Sequence, residues 1–308
     1  MKGIVYKSTG SWYAVKTAEG KFFQARIKGK FRIDEITSTN PVVVGDEVSI
    51  EPENEIENTV TITEIHDRKN YINRQSPRAK HQHHIIAANI DQSLLIATLK
   101  EPRTSQGFID RFLATSEAYH VPSIIVFNKT DLFRKKEHEQ FDAWKEMYES
   151  IGYRVFGTSV KENKGIDELK KLLENKITLV SGHSGVGKSS FINLLMPGQN
   201  LKTQDVSGWS GKGLHTTTFA EMFDLPFGAR IIDTPGMREF GLVYISKQEL
   251  SHYFPEMREL IQHCQFNNCL HTNEPGCAVI RAVQERKIYP ERYISYCNIL
   301  ESITEKMY

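Results

Sequence analysis

Long apolar runs are missing from this chain of 308 residues. No stretch approaches the roughly 18 consecutive apolar residues that a membrane-spanning helix needs. The opening Met1-Lys2-Gly3-Ile4-Val5 carries no apolar secretory core. A cytoplasmic protein without a membrane partner is therefore expected. Charge imbalance is lacking as well: 39 Lys+Arg against 38 Asp+Glu give a formal net charge of +1. No global field draws such a chain onto nucleic acid, so contacts of that kind must come from local patches. Cysteine is scarce, with 4 residues, at 264, 269, 277 and 297. In a reducing compartment they are poor disulfide candidates. Internal repeats and low-complexity tracts are also lacking. What remains, 39% hydrophobic and 25% charged residues, describes a globular protein long enough for more than one domain.

Three regions follow one another. Residues 1–68 carry short Val, Ile, Phe and Tyr runs broken by the turn signals Thr9-Gly10-Ser11, Glu19-Gly20-Lys21 and Gly45-Asp46-Glu47. Gly20 suits the positive-φ position of a hairpin between Tyr13-Ala14-Val15 and Phe22-Phe23. Several short strands without a helical period predict an all-β barrel of the OB-fold type. A β-domain that only packs on its neighbour stays open beside it. Residues 69–240 alternate apolar strands, at 93–98, 123–127, 154–156, 177–180, 220–223 and 230–232, with amphipathic stretches at 109–119, 141–150 and 166–173. This predicts an α/β domain with a mostly parallel sheet. Over residues 241–308 the strand signal fades. Helical periodicity returns at 247–253, 256–261, 278–285 and 290–303.

Gly182-His183-Ser184-Gly185-Val186-Gly187-Lys188-Ser189 fits G-x-x-x-x-G-K-S, between an apolar strand and a helical stretch that opens at Ser190. Its glycines let backbone N–H groups turn inward around phosphates, and the helix N-terminus adds partial positive charge. Lys188 is expected on the β and γ phosphates and the Ser189 hydroxyl on Mg²⁺.

Asn128-Lys129-Thr130-Asp131 ends another apolar strand. A carboxylate at Asp131 accepts from guanine N1–H and the exocyclic amine together. Adenine offers neither donor on that edge and leaves a buried carboxylate unpaired, at a cost of about 1–3 kcal/mol or more. Lys129 can lie along the base, and Asn128 can brace neighbouring loops. Thr158-Ser159-Val160, after a further strand, offers a backbone N–H to the guanine O6.

Asp233-Thr234-Pro235-Gly236 is D-x-x-G at a strand end. Asp233 can hold Mg²⁺ through water, and the Gly236 N–H can meet the γ-phosphate. In the upstream segment Gly213-Leu214-His215-Thr216-Thr217-Thr218, Thr217 is favoured to complete the Mg²⁺ set, although a threonine run before a strand also suits plain β-propensity. Many GTPases place a water-orienting Gln after the D-x-x-G glycine, but here it is Met237. His215 is then the best-placed polar side chain for catalysis. A nucleotide-gated RNA-binding module with GTP as ligand and negligible turnover is the alternative that Met237 keeps open.

Cys264, Cys269, His271 and Cys277, spaced C-x4-C-x-H-x5-C, supply three thiolates and one imidazole. Such a donor set suits closed, structural, tetrahedral Zn²⁺. Cys297 lies outside the cluster and reads as a core thiol.

The order of these motifs is permuted: the guanine reader precedes the phosphate loop, and D-x-x-G comes last. With Ala88-Asn89-Ile90-Asp91-Gln92 and the cysteine cluster, the chain resembles the RsgA family (YjeQ, YloQ), GTPases of small-ribosomal-subunit biogenesis. The resemblance extends over nearly the whole chain. It implies an OB-fold, a circularly permuted GTPase domain and a C-terminal zinc domain. It further implies GTP hydrolysis stimulated by the 30S subunit during its late maturation, and it favours His215 as the catalytic residue. The expected partners are the 30S subunit with its 16S rRNA, and GTP or GDP, with the chain acting as a monomer. Thr158-Ser159-Val160 and Thr104-Ser105-Gln106-Gly107 depart from the family pattern. Two basic stretches are candidates for RNA phosphates: Arg68, Lys69, Arg74, Arg78, Lys80 with His81, His83 and His84, and Arg281, Arg286, Lys287 with Arg292.

Overall fold

The structure, a computed structural model, describes residues 1–27, 41–54, 58–75, 83–196, 220–234 and 245–303. The N-terminal strands are β1 (Lys2–Ser8), β2 (Tyr13–Thr17), β3 (Phe22–Ile27), β4 (Glu47–Asn54) and β5 (Thr59–Ile65). Burial alternates along β2, with Tyr13, Val15 and Thr17 inside and Ala14 and Lys16 outside, as a sheet with one covered face requires. Gly20, at φ +83, turns the β2–β3 hairpin. β1 pairs with both β2 and β4, β4 with β5, and β3 with β5 in parallel. The ring closes as β1-β2-β3-β5-β4-β1, an OB barrel without free edges among the described strands.

A hairpin absent from the sequence reading follows: β6 (Tyr71–Gln75) and β7 (His83–Ala88). The basic residues from Arg74 to His84 break up its apolar pattern and hide it. It ties to the barrel through the bridge between Val44 and Ala87 and through Ala88 N–H donating to Val44 O at 2.9 Å. Gly45, at φ +93, permits that approach, since a Cβ there would stand 2.0 Å from Ala88 O.

The second sheet comprises β8 (Gln92–Ala97), β9 (Ser123–Phe127), β10 (Arg154–Gly157), β11 (Ile177–Ser181), β12 (Glu221–Asp224) and β13 (Arg230–Asp233). Its order is β10-β9-β8-β11-β13-β12, parallel except for β12. Every residue of β8 and β9 is buried, because helices cover both faces. α1 (Gln106–Ala118) and α2 (Lys135–Ser150) pack on the side chains of Leu95, Ala97 and Ile125. α3 (Ile166–Leu173) and α4 (Lys188–Leu195) pack on those of Leu94, Ile96 and Ile124. At the far edge β12 pairs with β1 at Glu221 and Lys7. The Lys7–Glu221 ion pair at 3.0 Å and the Tyr6 hydroxyl donating to Asp224 at 2.6 Å support that single register. Barrel and sheet thus form one 11-stranded sheet.

Beyond residue 244 come α5 (Pro255–Arg258), α6 (Ala278–Gln284) and α7 (Pro290–Ser302). The stretch read as one helix at 256–261 is instead the short α5 followed by a 3-10 turn at Ile261–His263. α7 packs on α1 through a buried ion triad. Arg292 donates to Asp110 at 2.6 Å and to Glu256 at 2.7 Å, and the Tyr148 hydroxyl donates to Asp110 at 2.7 Å. Removing one partner of such a group leaves a bare buried charge, at a cost of about 3–5 kcal/mol. Arg292, 1% exposed, therefore cannot contact RNA as expected. Arg68 is likewise engaged, donating twice at 2.7 Å to the buried carboxylate of Asp46.

Candidate functional site

The sheet reverses its winding direction between β8 and β11: β9 and β10 extend it one way, β13 and β12 the other. Ligands of open parallel sheets lie at the carboxyl ends of the strands beside such a point. The segments after β9, β10 and β11, namely 128–131, 158–160 and 182–189, emerge there together with Thr234 after β13.

The phosphate-loop sequence joins β11 directly to α4. Gly182, Gly185 and Gly187 hold φ of +147, +82 and +98, values that side chains resist. Gly187 is needed for space too, because a Cβ would sit 2.5 Å from Asn128 Nδ2. Lys188 Nζ donates to the carbonyls of Gly182 at 2.6 Å and His183 at 2.9 Å, curling the lysine over its own loop.

Asn128 joins three segments. Its Nδ2 donates to Val186 O at 2.9 Å, and its Oδ1 accepts from Thr158 Oγ1 at 3.2 Å and from Val160 N at 3.3 Å. Val160 in place of the usual Ala leaves that backbone donor intact. Ser159 Oγ donates to Asp131 Oδ1 at 2.6 Å, and Thr130 N–H to Thr158 O at 3.0 Å. Lys129 adopts φ +64 and donates to Glu101 O. Thr104-Ser105-Gln106-Gly107 opens α1, with Ser105 Oγ accepting from Phe108 N at 3.3 Å as its N-cap.

Asp233 ends β13. Burial pushes its carboxyl pKa up, opposed by the Lys188 charge. Burial likewise pushes the Lys188 ammonium down, opposed by Asp233. Asp233 Oδ1 is buried and has no hydrogen-bond partner among the described residues, an orphaned acceptor of the kind that a cation satisfies. His215, Thr217, Gly236 and Met237 lie outside the described residues.

The cysteine cluster closes as a separate site. His271 Nδ1 stands 3.6 Å from Cys264 Sγ and 3.4 Å from Cys277 Sγ, and the two sulfurs are 4.0 Å apart. All four donor atoms, Cys269 included, lie within 4.8 Å of one another. Tetrahedral zinc bond lengths imply about 3.5 Å for S···N and about 3.8 Å for S···S, so one metal ion fits. Burial pushes the Cys269 thiol up to about 12 and the Cys277 thiol upward. It pushes His271 down, toward the neutral ligand form. Thiolates at this depth need a cation. Tyr293 and Tyr296 hold the ligand loop by donating to His271 O at 2.6 Å and Leu270 O at 2.8 Å. Cys297 is half-buried against the same helices.

A phosphate-loop sheet whose guanine-reading strand precedes its phosphate strand, with an OB barrel in front and a three-Cys, one-His cluster behind, defines a circularly permuted P-loop GTPase. The RsgA GTPase family model matches residues 65–243 and the RsgA N-terminal domain model residues 2–60. The chain belongs to the RsgA GTPase family. It is 52% identical over 306 residues to the small ribosomal subunit biogenesis GTPase RsgA of Flavobacterium psychrophilum, covering 99% of this chain and 94% of that protein. It is 51% identical over 308 residues to RsgA 2 of Bacteroides thetaiotaomicron, covering 100% and 99%. Among solved structures it is similar to YjeQ from Thermotoga maritima (TM-score 0.81, 32% identity, 99% of each chain). It is also similar to YloQ, described as a circularly permuted GTPase (TM-score 0.76, 28% identity, 100% and 96% coverage).

Residues missed from sequence are those that hold the site from outside, Phe108 against His183 and Asp110 beneath α7. No local pattern marks them. Asp233 generates a prediction. A carboxyl with a raised folded pKa favours folding at acid pH, below its unfolded value, and that contribution is lost as pH rises through the folded pKa. The ionised form of Asp233 is therefore the one that the nucleotide-free fold disfavours. Asp233→Asn should raise the melting temperature at pH 7, with the gain shrinking as pH falls into the carboxyl range. The same variant should lower Mg²⁺-dependent GTP turnover by at least about tenfold. A less stable variant with normal turnover would contradict this.

Proposed function

We propose that the chain hydrolyses GTP during late maturation of the 30S ribosomal subunit, is stimulated by that subunit, and meets its 16S rRNA. The gathering of 128–131, 158–160 and 182–189 around one buried asparagine carries the nucleotide part of this reading. The names of the relatives carry the ribosomal part.

In this reading Asp131 and Lys129 take the guanine ring, with the Val160 N–H near O6. The loop from Gly182 to Ser190, including Ser184 and Gly185, cradles the phosphates, and Lys188 leaves its own carbonyls for phosphate oxygens. Ser189, Asp233 and Thr217 hold Mg²⁺, which neutralises charge on the β and γ phosphates. Gly236 senses the γ-phosphate, and His215 positions the attacking water that Met237 cannot. The four-ligand cluster is assigned a structural Zn²⁺, because three thiolates and an imidazole leave no open position. Residues 1–68, 69–240 and 241–308 are assigned as barrel, GTPase and zinc domains of a cytoplasmic monomer.

Two surfaces support the RNA contact. On the outer barrel face the Arg26 guanidinium lies 3.7 Å from the Trp12 ring centre, and Phe22 is 49% exposed, a pairing suited to unstacked bases. Arg281, Arg286 and Lys287 are exposed beside the metal cluster. Lys69 is exposed but pairs with Asp91 at 2.9 Å. Arg78, Lys80 and His81 lie outside the described residues, as do the side chains of Arg74, His83 and His84.

Purified protein should turn GTP over slowly and accelerate with 30S particles, and His215→Ala should lose the acceleration while keeping GTP affinity. No acceleration over a range of magnesium and salt would favour the nucleotide-gated module instead. Intact stimulated turnover in His215→Ala would remove the catalytic assignment. Metal analysis should find one zinc per chain, lost together with C-terminal stability in Cys277→Ser, and a metal-free wild type would refute the zinc assignment.

A further inference from the structure

We propose that Phe108 is a positioning residue for the phosphate loop, and that α1 thereby transmits the seating of the C-terminal helices to that loop. This rests on the reading that residues 182–189 hold the phosphates. The His183 ring, second in the loop, lies on Phe108 with centroids 3.7 Å apart and planes 30° apart. The backbone of that same residue accepts Lys188 Nζ at 2.9 Å. Phe108 therefore fixes the stretch of loop against which the phosphate-binding lysine is stored. On the other side, a Cβ at Gly182 would stand 2.2 Å from Ile96 O, so the loop has little room to settle elsewhere.

Phe108 is itself fixed. Its N–H is capped by Ser105 at 3.3 Å, and it stands in the first turn of α1. Two residues on, Asp110 receives the buried guanidinium of Arg292 from α7 at 2.6 Å. Arg111 Nη2 donates to Ser302 Oγ at the end of α7 at 2.9 Å. Glu256 of α5 closes the triad on Arg292 at 2.7 Å. A helix moves as a stiff element, and an ion triad without exposed charge does not slide. A shift of α5 and α7 therefore displaces the Phe108 ring and the loop resting on it.

The test compares GDP with GMP binding to the full chain by calorimetry. GMP keeps the base and the ribose but lacks the β-phosphate that the loop cradles. Phe108→Ala should weaken GDP about three- to tenfold, leave GMP unchanged, and be rescued by Phe108→Tyr. Glu256→Gln should weaken GDP about two- to threefold in the wild-type background and have no effect in Phe108→Ala, the signature of one shared route. If Glu256→Gln unfolds the chain, Tyr148→Phe, which removes a donor to Asp110, serves the same comparison. Equal losses for GDP and GMP, no loss at all, or additive effects of the two substitutions overturn the proposal. Lys188→Ala tests the underlying reading: GDP affinity unchanged in that variant means the loop does not hold phosphate, whatever Phe108 does.

Discussion

The buried side chain of Asn128 is the constraint on which the site depends. One amide satisfies a carbonyl of the phosphate loop and two donors of the 158–160 segment. Asn128 is 3% exposed, so each unmade bond of its amide would carry a desolvation cost of about 1–3 kcal/mol. Gly187 is dictated by the same contact, since any side chain there would collide with the amide. The 158–160 segment and the 182–189 loop are therefore held in place by one residue rather than independently.

This explains how a permuted chain keeps a working geometry. Hydrogen bonds and strand neighbours fix the site in space, and neither depends on the order in which strands are synthesised. What the permutation changes is connectivity. The segment 197–219 leads into β12, the strand that pairs with the barrel through β1, and D-x-x-G leads into the metal-bearing helices. The D-x-x-G segment is thus continuous in sequence with the metal-bearing unit, and 197–219 with the strand that joins sheet to barrel. A nucleotide-dependent shift in either would pull directly on what it leads into.

Much of this was legible in sequence, for physical reasons that differ by region. Parallel strands covered on both faces read as continuous apolar runs, so Leu94–Ala97 and Ile124–Phe127 declared themselves. The glycines of the phosphate loop are spaced by the backbone angles they must adopt, and three thiols around one histidine have few other uses. The β6–β7 hairpin was hidden because the basic residues from Arg74 to His84 break up its apolar positions, of which Ile72 and Ala87 bury into the core beneath the larger sheet. Arg292 was misread because a run of cations looks the same whether it faces water or not. Its partner Asp110 lies 182 residues away in sequence, beyond any local pattern. The joining of barrel and sheet at Lys7 and Glu221 is equally nonlocal.

In the proposed reading Asp131, held by Ser159 at 2.6 Å, reads the base within the frame that Asn128 fixes. Binding of GDP and xanthosine diphosphate to wild type and Asp131→Asn tests it most directly. Xanthine carries a carbonyl where guanine carries its exocyclic amine, so an asparagine amide can donate to it where a carboxylate cannot. Asp131→Asn should lose about 10- to 100-fold in GDP affinity and gain affinity for xanthosine diphosphate. Unchanged GDP affinity in Asp131→Asn would contradict it.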